Sequence, residues 1–331
     1  MKIILDAMGT DNYPDPEIGG AIMAAQSDGI EVILVGDEPV LQPKLQAAGG
    51  ANLPITIHHA SQVLEMTDKP VEATRKKPDN SMAVGMQLLE KGEGAAFVTM
   101  GNSGAAMFNA SRILRVRGIR PALAVPLPAR NGSKFIVIDN GANVECRPEH
   151  LVQFAKMGSV YAQKYLHIAQ PRVGLLANGE EEGKGNALVK ETHPLMKADT
   201  TIHFVGNIEP KEAFAGDVDV LVTDGFTGNI MLKTTETVAL MIYGFLKEAL
   251  TANLISTLGA LLIKPALKPM KSMLDPNEIG AAPLLGVNGL VFTGHGRSDA
   301  DAVAGALRSA SKLAASGILE QMQKVIAEIL E

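Results

Sequence analysis

The chain has 331 residues, of which 46% are hydrophobic and only 4% aromatic, and it carries a formal net charge of −6. This length and apolar content suit one large α/β domain or two smaller ones, and they exclude a disordered chain. The negative charge argues against general nucleic-acid binding, and the single cysteine excludes an internal disulfide framework.

Short apolar runs recur along the chain, and each ends in small or polar residues. They are KIILD, EVILVG, AAFVTMG, LAVPLP, KFIVID, RVGLLANG, TIHFVGN, VDVLVTDG and GLVFTGHG. Because these runs are continuous rather than alternating, they predict strands that are buried on both faces. Helical patterns lie between several of them, at residues 81–91, 103–117, 148–166 and 228–250. The alternation predicts a three-layer α/β/α fold with a mostly parallel sheet.

No repeat or linker divides the chain, so we expect a single α/β domain over residues 1–331. Residues 228–276 form the exception to the alternation, because they exceed what one crossover needs and predict a helical excursion. The segment 299–331 has helical spacing and should pack on the sheet. No stretch reaches the roughly 18 to 20 apolar residues that a bilayer crossing needs, and the first residues predict a strand rather than a secretory signal. We therefore expect a cytoplasmic protein.

Polar and glycine-rich segments follow the predicted strands, where α/β proteins place their ligands. Asp6, Asp139 and Asp224 each come directly after an apolar run. Two turns have the composition of an anion-binding site at a helix start, because glycines expose backbone N–H groups and the helix dipole favours negative charge. Their residues are Gly101, Asn102, Ser103 and Gly104 in the first turn, and Gly225, Thr227, Gly228 and Asn229 in the second. A simple tight turn is the alternative for each.

A third loop, residues 178–186, places Lys184 between two glycines and ends at Asn186. It differs from a Walker A loop, because it has one residue too few between its glycines and Gly185 stands where a Ser or Thr would hold Mg²⁺. No GxGxxG follows a strand, and the seven histidines show no zinc spacing. The sequence thus predicts a phosphate site with no cofactor and no metal.

Eight segments resemble one family over essentially the whole chain, in the right order. They are DAMGTD (6–11), KPDNSM (77–82), GNSGA (101–105), DNGANVECRPEHLVQFAKMG (139–158), GEEEGKGN (179–186), GNIEP (206–210), DGFTGNIMLKT (224–234) and HGRS (295–298). This set resembles the phosphate acyltransferases of bacterial phospholipid synthesis, the PlsX family. Thr10 and Asn80 depart from the family pattern, which usually has a glycine and a serine there.

The resemblance implies transfer of a fatty acyl group from acyl carrier protein to inorganic phosphate, giving acyl phosphate and free carrier protein. It also implies a fold related to isopropylmalate and isocitrate dehydrogenases and to phosphotransacetylase, a homodimer, and peripheral association with the membrane. A downstream glycerol-3-phosphate acyltransferase is a further possible partner.

Phosphate is itself a competent nucleophile toward a thioester, so catalysis needs mainly positioning and charge stabilisation. We assign Lys184, Asn186, Asn229 and the turn at residues 101–104 to the phosphate or to the tetrahedral oxyanion. Asp6, Asp139 and Asp224 are expected to orient donors or accept a proton, with capping of nearby backbone N–H groups as the alternative. His150 and Asn143 are further candidates beside the site.

Cys146 and His150 also suggest a covalent route through an acyl-cysteine. Pro148 lies between them and predicts a helix start there, so the two side chains need not face each other. A structural cysteine is the favoured interpretation.

Two acid-free stretches predict docking sites for anionic partners, with ordinary solvated faces as the alternative. Arg112, Arg115, Arg117 and Arg120 lie in the first stretch and form our predicted docking face for the acidic carrier protein. Leu254, Leu258, Leu261 and Leu262 share one helical side in the second stretch, and Lys264 and Lys268 follow them. An apolar face beside lysines suits an anionic bilayer surface, with a buried dimer helix as the alternative. Other functions that the sequence leaves open are a short-chain acyl-CoA:phosphate acyltransferase and a non-catalytic membrane scaffold.

Overall fold

The computed structural model describes residues 1–253, 255–260, 262–263 and 281–331. Within them, one sheet contains the strands β1 (Lys2–Asp6), β2 (Glu31–Gly36), β3 (Ile55–His59), β4 (Ala96–Thr99), β5 (Ala122–Pro128), β6 (Lys134–Ile138), β7 (Arg172–Leu176), β8 (His203–Ile208), β9 (Val220–Val222), β10 (Ala282–Leu285) and β11 (Val291–Thr293). The helices are α1 (Asp15–Asp28), α2 (Glu38–Ala47), α3 (Pro70–Lys76), α4 (Ser81–Glu90), α5 (Ser103–Ile113), α6 (Pro148–Tyr165), α7 (Ala187–Ala198), α8 (Pro210–Ala215), α9 (Gly225–Thr251), α10 (Ala300–Ala315) and α11 (Ile318–Leu330).

The strand order is β3-β2-β1-β4-β11-β10-β5-β6-β9-β7-β8, and most neighbours pair in parallel. The exceptions lie at the centre, where β10 is antiparallel to both β11 and β5, and β5 is antiparallel to β6. The strands from β3 to β11 therefore run in one direction, and those from β6 to β8 run in the opposite one. The carboxyl ends of the two halves consequently leave opposite edges of the sheet, where a fully parallel sheet would bring them to one edge.

Both faces of the sheet are covered by helices, as the apolar runs predict. In β1, Ile3 and Leu5 belong to a core with α1, α6 and α10, whereas Ile4 belongs to a core with α4 and α5. On the face of Ile4, a separate core beneath α8 and α9 covers the second half of the sheet. The gap between these two cores lies over β5, because Leu123 belongs to the first and Val125 to the second.

The nine predicted strands are all present, and β3 and β10 are additional. β3 is only half-buried and alternates in exposure, so its sequence lacks a continuous apolar run. The predicted helix at residues 103–117 ends earlier, at Ile113, because Arg115 bridges to Val287 and so leaves the helical path.

The predicted helix at residues 228–250 begins earlier, at Gly225, and continues to Thr251. Residues 255–260 are also helical. The remainder of the predicted excursion lies outside the described residues, so the excursion as a whole stays a prediction. Among the described residues, none of the helices combines the length and the apolarity that crossing a bilayer requires.

Candidate functional site

A pocket of about 350 Å³ lies over the centre of the sheet, and we call it the central pocket. Its floor is one face of β5, because Leu123, Val125 and Leu127 alternate along that strand and all line the pocket. Its roof is one side of α9, where lining residues recur at helical spacing (Asn229, Leu232, Lys233, Glu236). The pocket therefore has an aliphatic floor and a roof that mixes apolar and polar side chains, between the two cores of this face.

Polar residues from both halves of the sheet line the central pocket. Ser103 follows β4, and Thr293 and His295 stand at the end of β11, where the Thr293 hydroxyl lies 3.3 Å from the Ser103 hydroxyl oxygen. Asn229 enters from α9 and Gly141 from the loop after β6; a Cβ on Gly141 would lie 3.6 Å from Asn229 Cγ. The pocket thus brings residues of both predicted anion-binding turns together, although the strands before them run in opposite directions.

The turn at residues 101–104 is built by hydrogen bonds that leave its tip open. The Gly101 N–H donates to Thr99 Oγ1, and Asn102 caps α5 by accepting from the Ala105 N–H. The Asn102 side-chain amide also donates to backbone carbonyls of Met66 and Asp68, which ties down the neighbouring loop. Ser103 is exposed and Gly104 partly so, and they form the first turn of α5, where backbone N–H groups favour an anion.

The second turn is closed by hydrogen bonds within the protein. Asp224 caps α9 by accepting from the Thr227 N–H and hydroxyl, the Gly225 N–H donates to Asn143 O, and the Gly228 N–H donates to Asp224 O. Three of the first four amides are therefore already bonded within the protein, which favours the alternative of a tight turn, and the predicted anion-binding role of this turn stays a prediction.

The glycines of this turn are needed because the helix start lies against the loop after β6. A Cβ on Gly228 would lie 1.9 Å from Asp139 O, and one on Gly225 would lie 2.7 Å from Asp139 Oδ2. This close approach is what carries the Asn229 side chain to the central pocket.

Two of the predicted aspartates, Asp6 and Asp139, are fully buried and accept hydrogen bonds from neighbouring groups of the protein. Asp6 accepts from the Met8 N–H and the Thr99 hydroxyl, and Asp139 accepts from the backbone N–H groups of Leu123 and Asn143. Burial raises the pKa of both carboxyls above the ordinary aspartate value, against the lowering effect of these hydrogen bonds. Neither lines the central pocket, which favours the alternative of holding nearby backbone groups.

Asn143 belongs to the same buried network. Its side-chain amide donates to Asp139 Oδ2 at 2.8 Å and to Pro121 O at 2.7 Å, and its Oδ1 accepts from Arg120 Nε at 2.5 Å. Its hydrogen-bonding groups are thus engaged within the protein.

Lys184 and Asn186 lie on the other side of α9. Asn186 caps α7 by accepting from the Val189 N–H, and it lines a second cavity of about 790 Å³, the lateral pocket, together with Asp224 and Thr227. Lys184 is exposed, and its chain passes beside Gly179, where a Cβ would meet Lys184 Cγ at 2.8 Å. Thr235 of α9 lines both pockets. The roles of Lys184 and Asn186 stay predictions, and they do not share the central pocket with Ser103.

Cys146 and His150 lie near the start of α6, with His150 Nδ1 accepting from the Arg147 N–H at 3.2 Å. Partial burial raises the pKa of the Cys146 thiol to about 11, with the Asp139 carboxylate adding to the effect. A thiol of this kind is protonated at neutral pH and makes a poor nucleophile. Burial and the nearby Arg147 guanidinium lower the pKa of His150, which contacts neither pocket.

Arg112, Arg115 and Arg117 are exposed after or at the end of α5, as a docking face requires. Arg120 is committed to Asn143 through its Nε, while its backbone N–H donates to Gln153. Of the predicted membrane residues, Leu258 is 64% exposed and Leu262 is 84% exposed. Leu254, Leu261, Lys264 and Lys268 lie outside the described residues.

The sequence interpretation missed Lys233 and His295. Lys233 is four residues after Asn229 and shares its helix face, and His295 opens the HGRS segment at a strand end. His295 could have been found because it follows an apolar run, as the other candidate residues do. The sequence interpretation assigned no chemical role to that segment.

Within the described residues, one group of carboxylates lies close enough together to hold a metal ion: Glu180, Glu209 and Glu212. The Lys211 ammonium pairs with all three, at 3.2, 2.8 and 3.6 Å respectively. This lysine already neutralises part of their charge, so the cluster is explained without an ion.

The chain is similar to known proteins over almost its whole length. A family model described as "Fatty acid synthesis protein" matches residues 1–321. The chain is 45% identical to the phosphate acyltransferase of Elusimicrobium minutum, over 100% of this chain and 97% of that one. It is 46% identical to the phosphate acyltransferase of Thermus thermophilus, over 99% of each chain.

Among solved structures, a phosphotransacetylase from Streptococcus pyogenes superposes with a TM-score of 0.62 at 16% identity, covering 97% of this chain and 94% of that one. A 4-hydroxythreonine-4-phosphate dehydrogenase from Klebsiella pneumoniae gives a TM-score of 0.55 at 14% identity, covering 95% and 98%. At such identities the likeness concerns the fold alone, and it confirms the expected architecture.

Proposed function

Because the chain belongs to the fatty acid synthesis protein family and its relatives are phosphate acyltransferases, it is an acyltransferase acting on phosphate, and we propose that its donor is a long-chain acyl group on acyl carrier protein. The products are acyl phosphate and free carrier protein, for use in phospholipid synthesis.

The central pocket is the observation that supports this proposal. Its aliphatic floor suits the acyl chain next to the thioester. The Ser103 hydroxyl and the Asn229 amide are donors for the phosphate or for the oxyanion that forms on the carbonyl. The first turn of α5 adds its N–H groups and the positive end of the helix dipole. No enzyme nucleophile is needed, since phosphate attacks the thioester directly.

The test is release of carrier-protein thiol from palmitoyl-acyl carrier protein on addition of phosphate. We expect thiol release and acyl phosphate in equal amounts, and none without phosphate. Turnover of acetyl-CoA but not of the carrier-bound substrate would favour a short-chain enzyme, and absence of phosphate-dependent release would favour a scaffold.

For the carrier protein, we propose docking at Arg112, Arg115 and Arg117. Their exposure supports a steered encounter with an acidic partner on an otherwise acidic enzyme. Changing Arg112 and Arg117 together to Glu should raise KM for the carrier-bound substrate several-fold with little change in kcat, and more strongly at low salt. Exchange of both for Lys is the matched control, and unchanged KM in the Glu variant would contradict the docking site.

We also propose that the chain acts as a homodimer at the inner face of the cytoplasmic membrane, where it supplies acyl phosphate to a glycerol-3-phosphate acyltransferase. Helix α9 carries many exposed apolar side chains, which suits burial against a second copy; among them are Phe226, Ile230, Leu240, Ile242 and Phe245. The exposure of Leu258 and Leu262 suits contact with lipid.

Sedimentation and flotation on anionic liposomes separate these two contacts. Leu240→Glu should give monomers, whereas Leu258→Glu should lose liposome binding and stay dimeric. If Leu258→Glu gave monomers, Leu258 would belong to the dimer interface and not to the lipid contact.

A further inference from the structure

His295 lines the central pocket at the end of β11, opposite the roof helix α9. Three of the described residues lining this pocket have titratable side chains: Lys233, Glu236 and His295. Lys233 Nζ and Glu236 Oε2 pair at 2.9 Å, so their charges are compensated within the helix. His295 remains as the group whose ordinary pKa lies near neutrality.

The backbone around His295 is held from two sides. The Gly294 N–H donates to Thr99 O at 2.9 Å, which ties the histidine to the strand before Ser103. The Asp11 N–H donates to Gly296 O at 2.7 Å, and the Ser298 N–H donates to His295 O at 2.9 Å. The ring is therefore presented to the pocket by a fixed turn.

The reaction itself leaves a proton to be moved. Hydrogen phosphate attacks the thioester carbonyl carbon, a C–O bond forms, and the C–S bond breaks with its electron pair remaining on sulfur. The phosphate hydroxyl proton must leave the nucleophile, and the departing thiolate must gain one. A single imidazole can accept the first proton and deliver it to the sulfur, so that acyl phosphate and a neutral thiol result.

We propose that His295 is the catalytic residue that carries this proton from phosphate to the leaving thiolate. The proposal rests on the proposed function and assigns a residue to its chemistry. His295 is exposed at the edge of the pocket, yet its partial burial lowers its pKa, and Lys233 and Arg297 act in the same direction, while Glu236 opposes them. The imidazole is thus neutral at neutral pH and ready to accept a proton. Asp11, on the loop packed against Gly296, and Asp299, just after the turn, are further charged groups beside it.

The experiment compares the parent with His295→Gln and with His203→Gln, an exposed histidine on β8. With palmitoyl-acyl carrier protein, His295→Gln should lower kcat about 10²-fold and leave KM for phosphate nearly unchanged, whereas His203→Gln should match the parent. The acidic limb of the kcat–pH profile should disappear in His295→Gln. With an acyl thioester of an aromatic thiol, whose thiolate leaves without protonation, the loss should shrink to less than about tenfold.

Thermal unfolding of each variant shows whether the fold is kept, and added imidazole should restore part of the activity of His295→Ala. An unchanged pH profile in a folded His295→Gln, or an equal loss with both thioesters, would overturn the proposal. If the parent releases no thiol with phosphate, the proposed function itself fails, which is a different result.

Discussion

Glu17 on α1 is a buried carboxyl whose environment makes stability depend on pH. It is fully buried, with Oε1 accepting from the Thr10 N–H at 2.7 Å and Oε2 accepting from the Thr10 hydroxyl at 3.1 Å. Burial raises its pKa from 4.5 to about 7 despite these bonds, and the Asp6 carboxylate adds a smaller push in the same direction. The folded protein therefore holds this proton more tightly than the unfolded chain does.

The sign and size of the effect follow from linkage. Since the folded pKa is above the unfolded one, the contribution to stability is fully present below about pH 4.5 and is lost as pH rises through about 7. A tenfold change in proton affinity corresponds to about 1.4 kcal/mol, so ionising Glu17 in the fold costs roughly 3 kcal/mol at about pH 8. Glu17→Gln keeps an acceptor for the Thr10 N–H and removes the charge.

The assay is urea unfolding of the parent and of Glu17→Gln between about pH 5 and pH 8. We expect the variant to gain up to roughly 3 kcal/mol relative to the parent across this range. The raised pKa of Asp139 acts in both proteins and cancels in the difference, whereas Asp6 is coupled to Glu17 and belongs to the effect that is measured. Parallel stability curves for the two proteins would show that Glu17 titrates normally and would refute the reasoning.

Three further predictions follow from the site. Gly228→Ala should destabilise the fold by about 1–3 kcal/mol, because the added Cβ would meet Asp139 O. Gly244→Ala, in the same helix, places its Cβ in open space and should stabilise the fold by about 0.5–1 kcal/mol. Equal melting temperatures of the two variants would contradict the close packing at Gly228. Cys146→Ser should retain nearly full turnover in the thiol-release assay, and loss of turnover in a folded variant would restore the covalent route. Lys184→Ala should lower turnover about 10²–10³-fold if the lysine stabilises the oxyanion, and near-normal turnover would remove it from the mechanism.

The strands could be predicted from the sequence because burial on both faces leaves a continuous apolar run. The end of each run then indicated where candidate site residues stand. The strand order could not be predicted, since β10 and β11 come from the last part of the chain and lie between β4 and β5. The reversal of direction did have a local signal. Asn131-Gly132 between two apolar runs is typical of a hairpin, and Gly132 has φ +85° in the observed turn between β5 and β6.

The residues of the site could also be predicted only in part. Ser103 and Asn229 follow strands and share the central pocket, as the turn compositions suggested. The glycines at 225 and 228 serve close packing, and composition alone cannot distinguish a backbone that approaches a ligand from one that approaches Asp139. The positions of Lys233 and His295 in the site could not be predicted from the sequence, because only the fold brings α9 and the end of β11 to the same cavity.

The central position of β10 and β11 has a consequence for synthesis on the ribosome. Until residues 282–293 emerge, β4 and β5 have no partner on their facing sides, and the two halves of the sheet cannot join. Unpaired strand edges of this kind associate readily with other chains. The nascent protein therefore depends on strands that are translated late, β10 and β11, to close the sheet that its first strands begin.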